Sequence, residues 1–272
     1  MKLSVSVSLR FVFSLLIITW GFVASDGRCR WSQNRSLQRE MSLYSFTYLG
    51  LSVARGHISI SDTLTENGRS VTRIEACASS VSPTSFLFRI DNRYITTIDA
   101  KTGYPLTYEK IVEQSNFSEQ TLILFDQEGG HIYCGNDHMT TIASETHNFF
   151  STLYFLLNHT FRPHEVMHLP VFAAGQIWQV TTKPLKIERV VTKAGTYPAV
   201  LFEIEFQGSS SKPNQIMDTD VLTHRLISEG KKTHMWLSTS QDQTVVKGTY
   251  SLFPADLQMI LTKYRKGSLN GH

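Results

Sequence analysis

The 272-residue sequence lacks a strong excess of charge of either sign. Its 26 lysine and arginine residues nearly balance 23 aspartate and glutamate residues, which gives a formal charge of +3. Two of these positive charges, Lys2 and Arg10, lie in a predicted signal peptide, so the mature chain would carry +1. Nucleic-acid binding depends on a basic surface that neutralises phosphates. The sequence therefore predicts no nucleic-acid partner.

The sequence also lacks a long apolar run beyond its N-terminus. The mostly apolar stretch from Phe11 to Val23 is shorter than the ~20 residues of a transmembrane helix. Basic residues precede it and small residues follow it, which is typical of a secretory signal peptide over residues 1–25. We therefore predict an exported protein of the periplasm or outer envelope, without a transmembrane span after cleavage. An uncleaved anchor is the alternative, because Trp20 suits a membrane interface.

Cysteine is scarce, at three residues. In an oxidising compartment, Cys29, Cys77 and Cys134 cannot all pair within one chain. Cys77 and Cys134 both lie in predicted strands, and a bond between them would leave Cys29 in a flexible leader, which we predict over residues 26–41. Which cysteines pair remains open at the level of sequence.

Helical periodicity is rare, and two-residue alternation dominates instead. Tyr44, Phe46 and Tyr48 fall on one face of a predicted strand that Gly50 joins to the next. Similar alternation recurs to residue 264, including two strands predicted from Ile177 to Thr182 and from Leu185 to Thr192. The pattern predicts one β-rich domain over residues 42–265. A polar excursion over residues 208–232 and a disordered tail over residues 266–272 complete the predicted organisation.

One segment has the period of a helix. Its large apolar residues recur at three- to four-residue steps: Phe149, Phe150, Leu153, Tyr154 and Leu157. This spacing predicts a helix over about residues 145–158, with Ser144 or Thr146 as its N-cap and Asn158 at its end. The predicted fold is therefore mainly β, with a strongly curved antiparallel sheet or a partly open barrel and one packed α-helix.

The aromatic strand faces and the helix suggest a binding function. A curved sheet that is covered by one helix can leave a cavity of ligand size. We therefore predict a non-catalytic protein that binds a lipid-like or other apolar ligand, or an envelope protein partner, and needs no cofactor. Filling of the same space by the protein's own side chains is the alternative. The predicted ligand-lining residues are Tyr44, Phe46, Tyr48, Phe150, Leu153, Tyr154 and Leu157.

The alternative function is a zinc-dependent hydrolase. His164-Glu165-Val166-Met167-His168 has the spacing with which zinc peptidases place two imidazoles and a glutamate on one helix. Pro163 and Pro170, however, leave room for little more than one helical turn. Glu188, the downstream third ligand in this hypothesis, lies in a predicted strand. We therefore interpret residues 163–170 as a turn before a strand and predict no metal site and no catalytic residue.

Short motifs along the chain occur in the order and spacing of a known family. They are Phe46-Thr47-Tyr48, Ala54-Arg55-Gly56, Tyr104-Pro105-Leu106, Phe150 to Leu156, Leu169-Pro170-Val171, Glu188-Arg189-Val190, Lys193 to Ala199 and Trp236-Leu237-Ser238. Over residues 42–264 the sequence resembles the bacterial domain of unknown function family 3108, whose members are exported and envelope-associated. The resemblance implies a β-rich fold with one helix and an envelope location, and it brings no catalytic residues.

Overall fold

The computed structural model describes most of the chain from residue 37 onwards. The described residues are 37–65, 67–82, 89–115, 117–135, 138–162, 165–208, 220, 223, 227–240 and 243–267. The predicted signal peptide, most of the predicted leader, most of the polar excursion and residues 268–272 of the predicted tail lie outside them.

One open sheet contains the fifteen strands of the described residues. Strands β1 to β8 form its first half: Leu37–Tyr48, Leu51–Leu64, Ser70–Ser80, Asp91–Asp99, Pro105–Gln114, Phe117–Asp126, His131–Cys134 and His138–Thr141. Strands β9 to β15 form its second half: His147–Asn148, Met167–Ala173, Gln176–Thr192, Gly195–Gly208, Lys232–Ser238, Val245–Leu252 and Ala255–Lys266. Helix α1, Phe149–Asn158, directly follows β9. The predicted mainly β fold with one packed helix is confirmed.

The strand order explains why the sheet curves. It runs from β8 back to β1 and then from β15 back to β9, with antiparallel pairs throughout except for the parallel pair of β9 and β10. Strands β8 and β9 are thus the two edges, yet only residues 142–146 separate them. A chain of this length spans at most about 20 Å. The sheet therefore curls until its edges approach each other, and it stays open because the described residues form no ladder between β8 and β9.

Helix α1 lies between two clusters of buried side chains. Leu153 and Leu156 join a cluster that belongs mostly to the second half of the sheet. Phe150 joins a cluster that belongs mostly to the first half. Phe172 of β10 also reaches this first-half cluster, where its ring centroid lies 6.1 Å from that of Phe125 on β6. The helix and Phe172 therefore fill the space between the two halves.

The helix begins later than the sequence predicted. Its N-cap is Asn148, rather than Ser144 or Thr146, because residues 147–148 already pair as β9 with β10. The Asn148 side-chain oxygen accepts a hydrogen bond from the backbone N–H of Ser151 at 2.8 Å, and the Ser151 hydroxyl oxygen accepts one from the backbone N–H of Asn148 at 2.8 Å. The pair forms a capping box that satisfies two backbone donors. In the described part of the chain, no helix has the length and apolar character to cross a bilayer.

Replacement of Asn148 by alanine tests this cap. We expect Asn148→Ala to lower the free energy of unfolding by about 1–2 kcal/mol, because it leaves a buried donor at the helix start without its acceptor. The same side chain also donates to the Thr96 hydroxyl of β4 at 3.3 Å. Urea denaturation measures the change, with Asn158→Ala at the exposed end of α1 as the matched control. Equal losses in the two variants would contradict the role of Asn148.

One long strand replaces two that the sequence predicted. The segments from Ile177 to Thr182 and from Leu185 to Thr192 form the single strand β11. Pro184, which lacks a backbone donor, lies between the two predicted segments. In the structure, the ladder with β12 shifts register between Pro184 and Lys186. A proline is tolerated at such an irregularity, so the strand continues through it.

Strand pairing also extends past both predicted ends of the domain. The leader was predicted to reach residue 41, but β1 begins at Leu37. The tail was predicted from residue 266, but Lys266 still pairs with Glu40. The ladder extends past both boundaries because β1 and β15 are neighbours in the sheet.

Candidate functional site

A partly open pocket lies on the concave side of the sheet, against α1. Its volume is about 120 Å³, several times the ~10–15 Å³ that one water requires. Strands β1 to β5 contribute one wall, and α1, β10 and β13 to β15 contribute the other. The lining is almost entirely apolar. Water gains few hydrogen bonds in such a space, so the pocket favours an apolar occupant.

Small residues on β2 and β3 create the room in the pocket. Gly56 pairs with Ala78, and Ile58 pairs with Ala76, on the face of the sheet that lines the pocket. A Cβ atom at Gly56 would lie 2.7 Å from the backbone oxygen of Cys77 and 2.9 Å from the Phe46 ring. Glycine is therefore required at this position by close packing.

Aromatic rings form the walls above this floor. The Tyr94 ring centroid lies 5.5 Å from that of Phe150 on α1 and 6.5 Å from that of Tyr108 on β5. Tyr44 and Tyr250 line the side formed by β1 and β14. Burial raises the pKa of Tyr44 and of Tyr250 to about 12. These phenols are therefore uncharged at neutral pH and add to the apolar character of the walls.

A buried polar cluster lies beside the pocket and shares Tyr94 and Thr223 with its lining. Asp220 is fully buried and accepts hydrogen bonds from the Tyr94 hydroxyl at 2.7 Å and the Gln114 amide at 2.9 Å. The Thr223 hydroxyl donates to the same carboxylate. Burial, with the negative charge of Asp220, raises the pKa of Tyr94 well above its ordinary value. Asp220 thereby anchors the excursion between β12 and β13 to the first half of the sheet.

The structure places four of the seven predicted ligand-lining residues at this pocket: Tyr44, Phe46, Phe150 and Leu153. The other three lie elsewhere. Tyr48 donates to the backbone oxygen of Phe253 at 3.0 Å, and the Arg39 guanidinium lies 6.0 Å from the Tyr154 ring centroid. Leu157 borders a smaller cavity beside Ser42. Ligand binding by these residues stays a prediction.

Several pocket residues were not found from the sequence. Small and flexible side chains carry no pattern of their own, so the pocket-lining positions of Ala76, Ala78, Met235 and Met259 were missed. Lys110, which lines the pocket although only 6% of it is exposed, was also missed. Lys110 lies two residues after Tyr108 and therefore on the same face of β5, so the alternation of this strand could have identified it.

The residues of the zinc hypothesis do not converge. His164 lies outside the described residues, and His168 is in β10, where its Nδ1 lies 3.1 Å from the Thr181 hydroxyl. Glu188 lies seven residues further along β11 than Thr181, roughly 20 Å away along the strand. Its carboxylate accepts a hydrogen bond from Trp236 at 2.6 Å and pairs with Lys186 at 2.7 Å. A strand replaces the helix that this zinc chemistry needs, so the geometry does not support it.

Another set of metal-ligating side chains occurs on the outer face of the sheet. Ligand atoms of His57, Glu75 and Cys77 lie within 4.8 Å of one another. Arg93 binds the Glu75 carboxylate at 2.8 Å, and Cys77 is disulfide-bonded. A sulfur in a disulfide is not a thiolate, so this set is not a metal centre in the oxidised protein.

Pairing of Cys77 with Cys134, which the sequence left open, is excluded by the fold. Three strands lie between β3 and β7, which separates the two backbones by roughly 19 Å at ~4.8 Å per strand. A disulfide requires Cα atoms within about 7 Å. In addition, Cys134 is buried among residues of the concave face, whereas Cys77 lies opposite Arg93 on the other face.

The sequence matches one family model. Residues 43–262 match the model of the protein of unknown function family DUF3108. No curated protein matches the chain.

The chain also matches solved structures. A β-barrel-like protein of domain of unknown function DUF1849 from Brucella abortus is 11% identical, with a TM-score of 0.55, and the match covers 86% of this chain and 99% of that one. A candidate exported protein with a YmcC-like fold from Bacteroides fragilis is 7% identical, with a TM-score of 0.34, covering 85% and 97%. A candidate lipoprotein from Parabacteroides distasonis is 9% identical, with a TM-score of 0.33, covering 86% and 100%. At such identities, the first of these supports the fold alone.

Proposed function

The chain belongs to the DUF3108 family, and we propose that it is a non-catalytic exported protein of the cell envelope that binds an acyl chain or a similar apolar ligand. The observation that carries this proposal is the pocket between the sheet and α1, with its floor of small residues and walls of aromatic rings. An acyl chain matches such a lining because it gains contact area without leaving polar groups unpaired.

The export part of the proposal is supported independently of the pocket. The N-terminal pattern of basic residues, an apolar stretch and small residues is typical of secretory signals. Cys77 is disulfide-bonded. Stable disulfides occur mainly in oxidising compartments, among them the bacterial periplasm.

Filling the pocket floor tests the binding function. We expect Ala76→Leu to weaken binding of a fluorescent hexadecanoyl analogue at least tenfold, because the larger side chain occupies space that the acyl chain needs. Fluorescence anisotropy of the purified mature protein measures the affinity. Native mass spectrometry of protein purified without harsh detergent measures the retained lipid.

The control is Ala100→Leu, the same substitution at an exposed turn between β4 and β5. This variant should bind like the wild type. Thermal denaturation of both variants checks that each is folded before affinities are compared. Absence of bound lipid in the wild type together with no measurable binding of the analogue would refute the proposal, as would equal binding by Ala76→Leu and wild type.

A further inference from the structure

A cation lines the pocket, although the rest of the lining is almost entirely apolar. Among the described residues of the lining, Lys110 is the one lysine, arginine, aspartate or glutamate. Only 6% of Lys110 is exposed. A charge that is buried among apolar side chains costs free energy unless an opposite charge or hydrogen bonds compensate it. Lys110 therefore marks the place in this pocket where an anion is favoured.

Strand pairing places Lys110 at the β5 end of the pocket. It pairs with Tyr94 of β4, and Tyr108 precedes it on the same face of β5. Strands β4, β3 and β2 lie between β5 and β1, and the small residues of β2 and β3 form the pocket floor along this path. At the far side, Tyr250 and Met259 belong to β14 and β15. The cation thus lies at one end of an apolar path across the sheet.

We infer that the ligand is an acyl chain with a singly charged anionic head, as in the carboxylate of a fatty acid, and that Lys110 binds this head. The inference rests on the proposed function, because it assigns the head group of the same apolar ligand. An ammonium has three N–H donors, so Lys110 can donate to a ligand oxygen beside the interaction that it already has in the protein. The tail of the ligand then lies over the small residues of β2 and β3.

The carboxylates on neighbouring elements have hydrogen-bond donors of their own. Asp220 accepts from the Tyr94 hydroxyl at 2.7 Å and from the Gln114 amide at 2.9 Å. Glu119 of β6 accepts from the Thr121 hydroxyl at 2.7 Å. Neither carboxylate is among the described residues that line the pocket, whereas Lys110 is. An anionic head that enters the pocket therefore meets the cation of the lining.

Two ligands that differ only in their heads test the inference on the wild-type protein. Hexadecanoate and hexadecanol compete with the fluorescent hexadecanoyl analogue, and fluorescence anisotropy at pH 8 gives their affinities. We expect hexadecanoate to bind at least about tenfold more tightly, because only its ionised head gains a charge-assisted hydrogen bond. Equal affinities, or tighter binding of hexadecanol, would overturn the inference and leave the proposed function intact. Absence of binding by all three compounds would refute the proposed function, and this inference with it.

Substitution of Lys110 tests whether this residue causes the preference. Lys110→Met keeps the length and the apolar body of the side chain but removes its charge, so the preference for hexadecanoate should fall below about threefold. Lys110→Arg keeps the charge and should keep most of the preference. Lys101→Met, at the exposed turn between β4 and β5, is the control and should bind both ligands like the wild type.

Thermal denaturation checks that the variants are folded, and the wild-type comparison does not depend on them. An unchanged preference in folded Lys110→Met would overturn the role of Lys110. Tighter binding of hexadecyl phosphate than of hexadecanoate by the wild type would replace the carboxylate by a phosphate head and overturn the assignment of a singly charged ligand.

Discussion

The variant Phe172→Ala is expected to lose about 3–5 kcal/mol of unfolding free energy, the usual cost of emptying a buried phenylalanine site. Phe172 is 2% exposed on β10, and its ring meets Phe125 of β6 edge to face. It also lines the pocket between the sheet and α1. These contacts join strands that belong to opposite halves of the sheet, so the surrounding side chains cannot all move inward to fill the space.

Urea denaturation of the ligand-free protein measures this loss, because a bound acyl chain would stabilise the folded state and mask it. Phe253→Ala is the matched control, since Phe253 is fully exposed in the turn between β14 and β15. The control should change the unfolding free energy by less than about 0.5 kcal/mol. A loss below 1 kcal/mol for Phe172→Ala would show that the two halves do not depend on this contact.

Acidification is expected to destabilise the protein through His147. Burial against α1 lowers the pKa of this imidazole to about 4, whereas the unfolded chain has the ordinary value near 6.5. Between these values the unfolded chain binds the extra proton, so stability is complete above about pH 6.5 and falls as the pH decreases towards 4. The shift of about 2.5 units corresponds to roughly 3 kcal/mol, of which about 2 kcal/mol is lost by pH 5.

The variant His147→Gln isolates this effect from the titration of the carboxylates. Glutamine carries no titrating charge, so the fall in unfolding free energy between pH 7.5 and pH 5 should be about 2 kcal/mol smaller in the variant than in the wild type. The substitution also alters the contact with the Ser151 hydroxyl, which can make the variant less stable at pH 7.5. The test compares how the unfolding free energy changes with pH, so a constant difference in stability does not affect it. His168→Gln, the same substitution at an exposed position on β10, is the control for the substitution itself. If the unfolding free energies of wild type and His147→Gln fell equally between pH 7.5 and pH 5, His147 would not be the cause of the acid sensitivity.

Much of the fold could be predicted because a strand with one buried face has apolar residues at every second position of the sequence. That period located the hairpin of β1 and β2 through Gly50, and the change to a helical period located α1. The prediction failed where pairing between distant segments decided the outcome. β9 displaced the helix start to Asn148, and the ladder with β12 carried β11 through Pro184.

The site was predictable only in part for a related reason. Large aromatic side chains signal a buried face, and so Tyr44, Phe46 and Phe150 were found. A cavity, however, also requires small side chains in its walls, and small residues such as Gly56 and Ala76 form no periodic pattern in the sequence. The buried carboxylate of Asp220 was likewise hidden, because a single aspartate in a polar stretch resembles a solvent-exposed residue. Its partners on β4 and β5 become visible only in three dimensions.

The pairing of β1 with β15 has a consequence for the order in which the chain acquires its structure. The ladders of the first half join strands within residues 37–141, and those of the second half join strands within residues 147–266. Each half is a series of short-range pairs, which form quickly because little loop entropy is lost. Among the ladders of the described strands, that of β1 and β15 is the one that pairs residues more than 200 positions apart. During synthesis or translocation, the edge of β1 that faces β15 therefore remains unpaired until β15 arrives, and the interval before that pairing is when the protein is most exposed to aggregation.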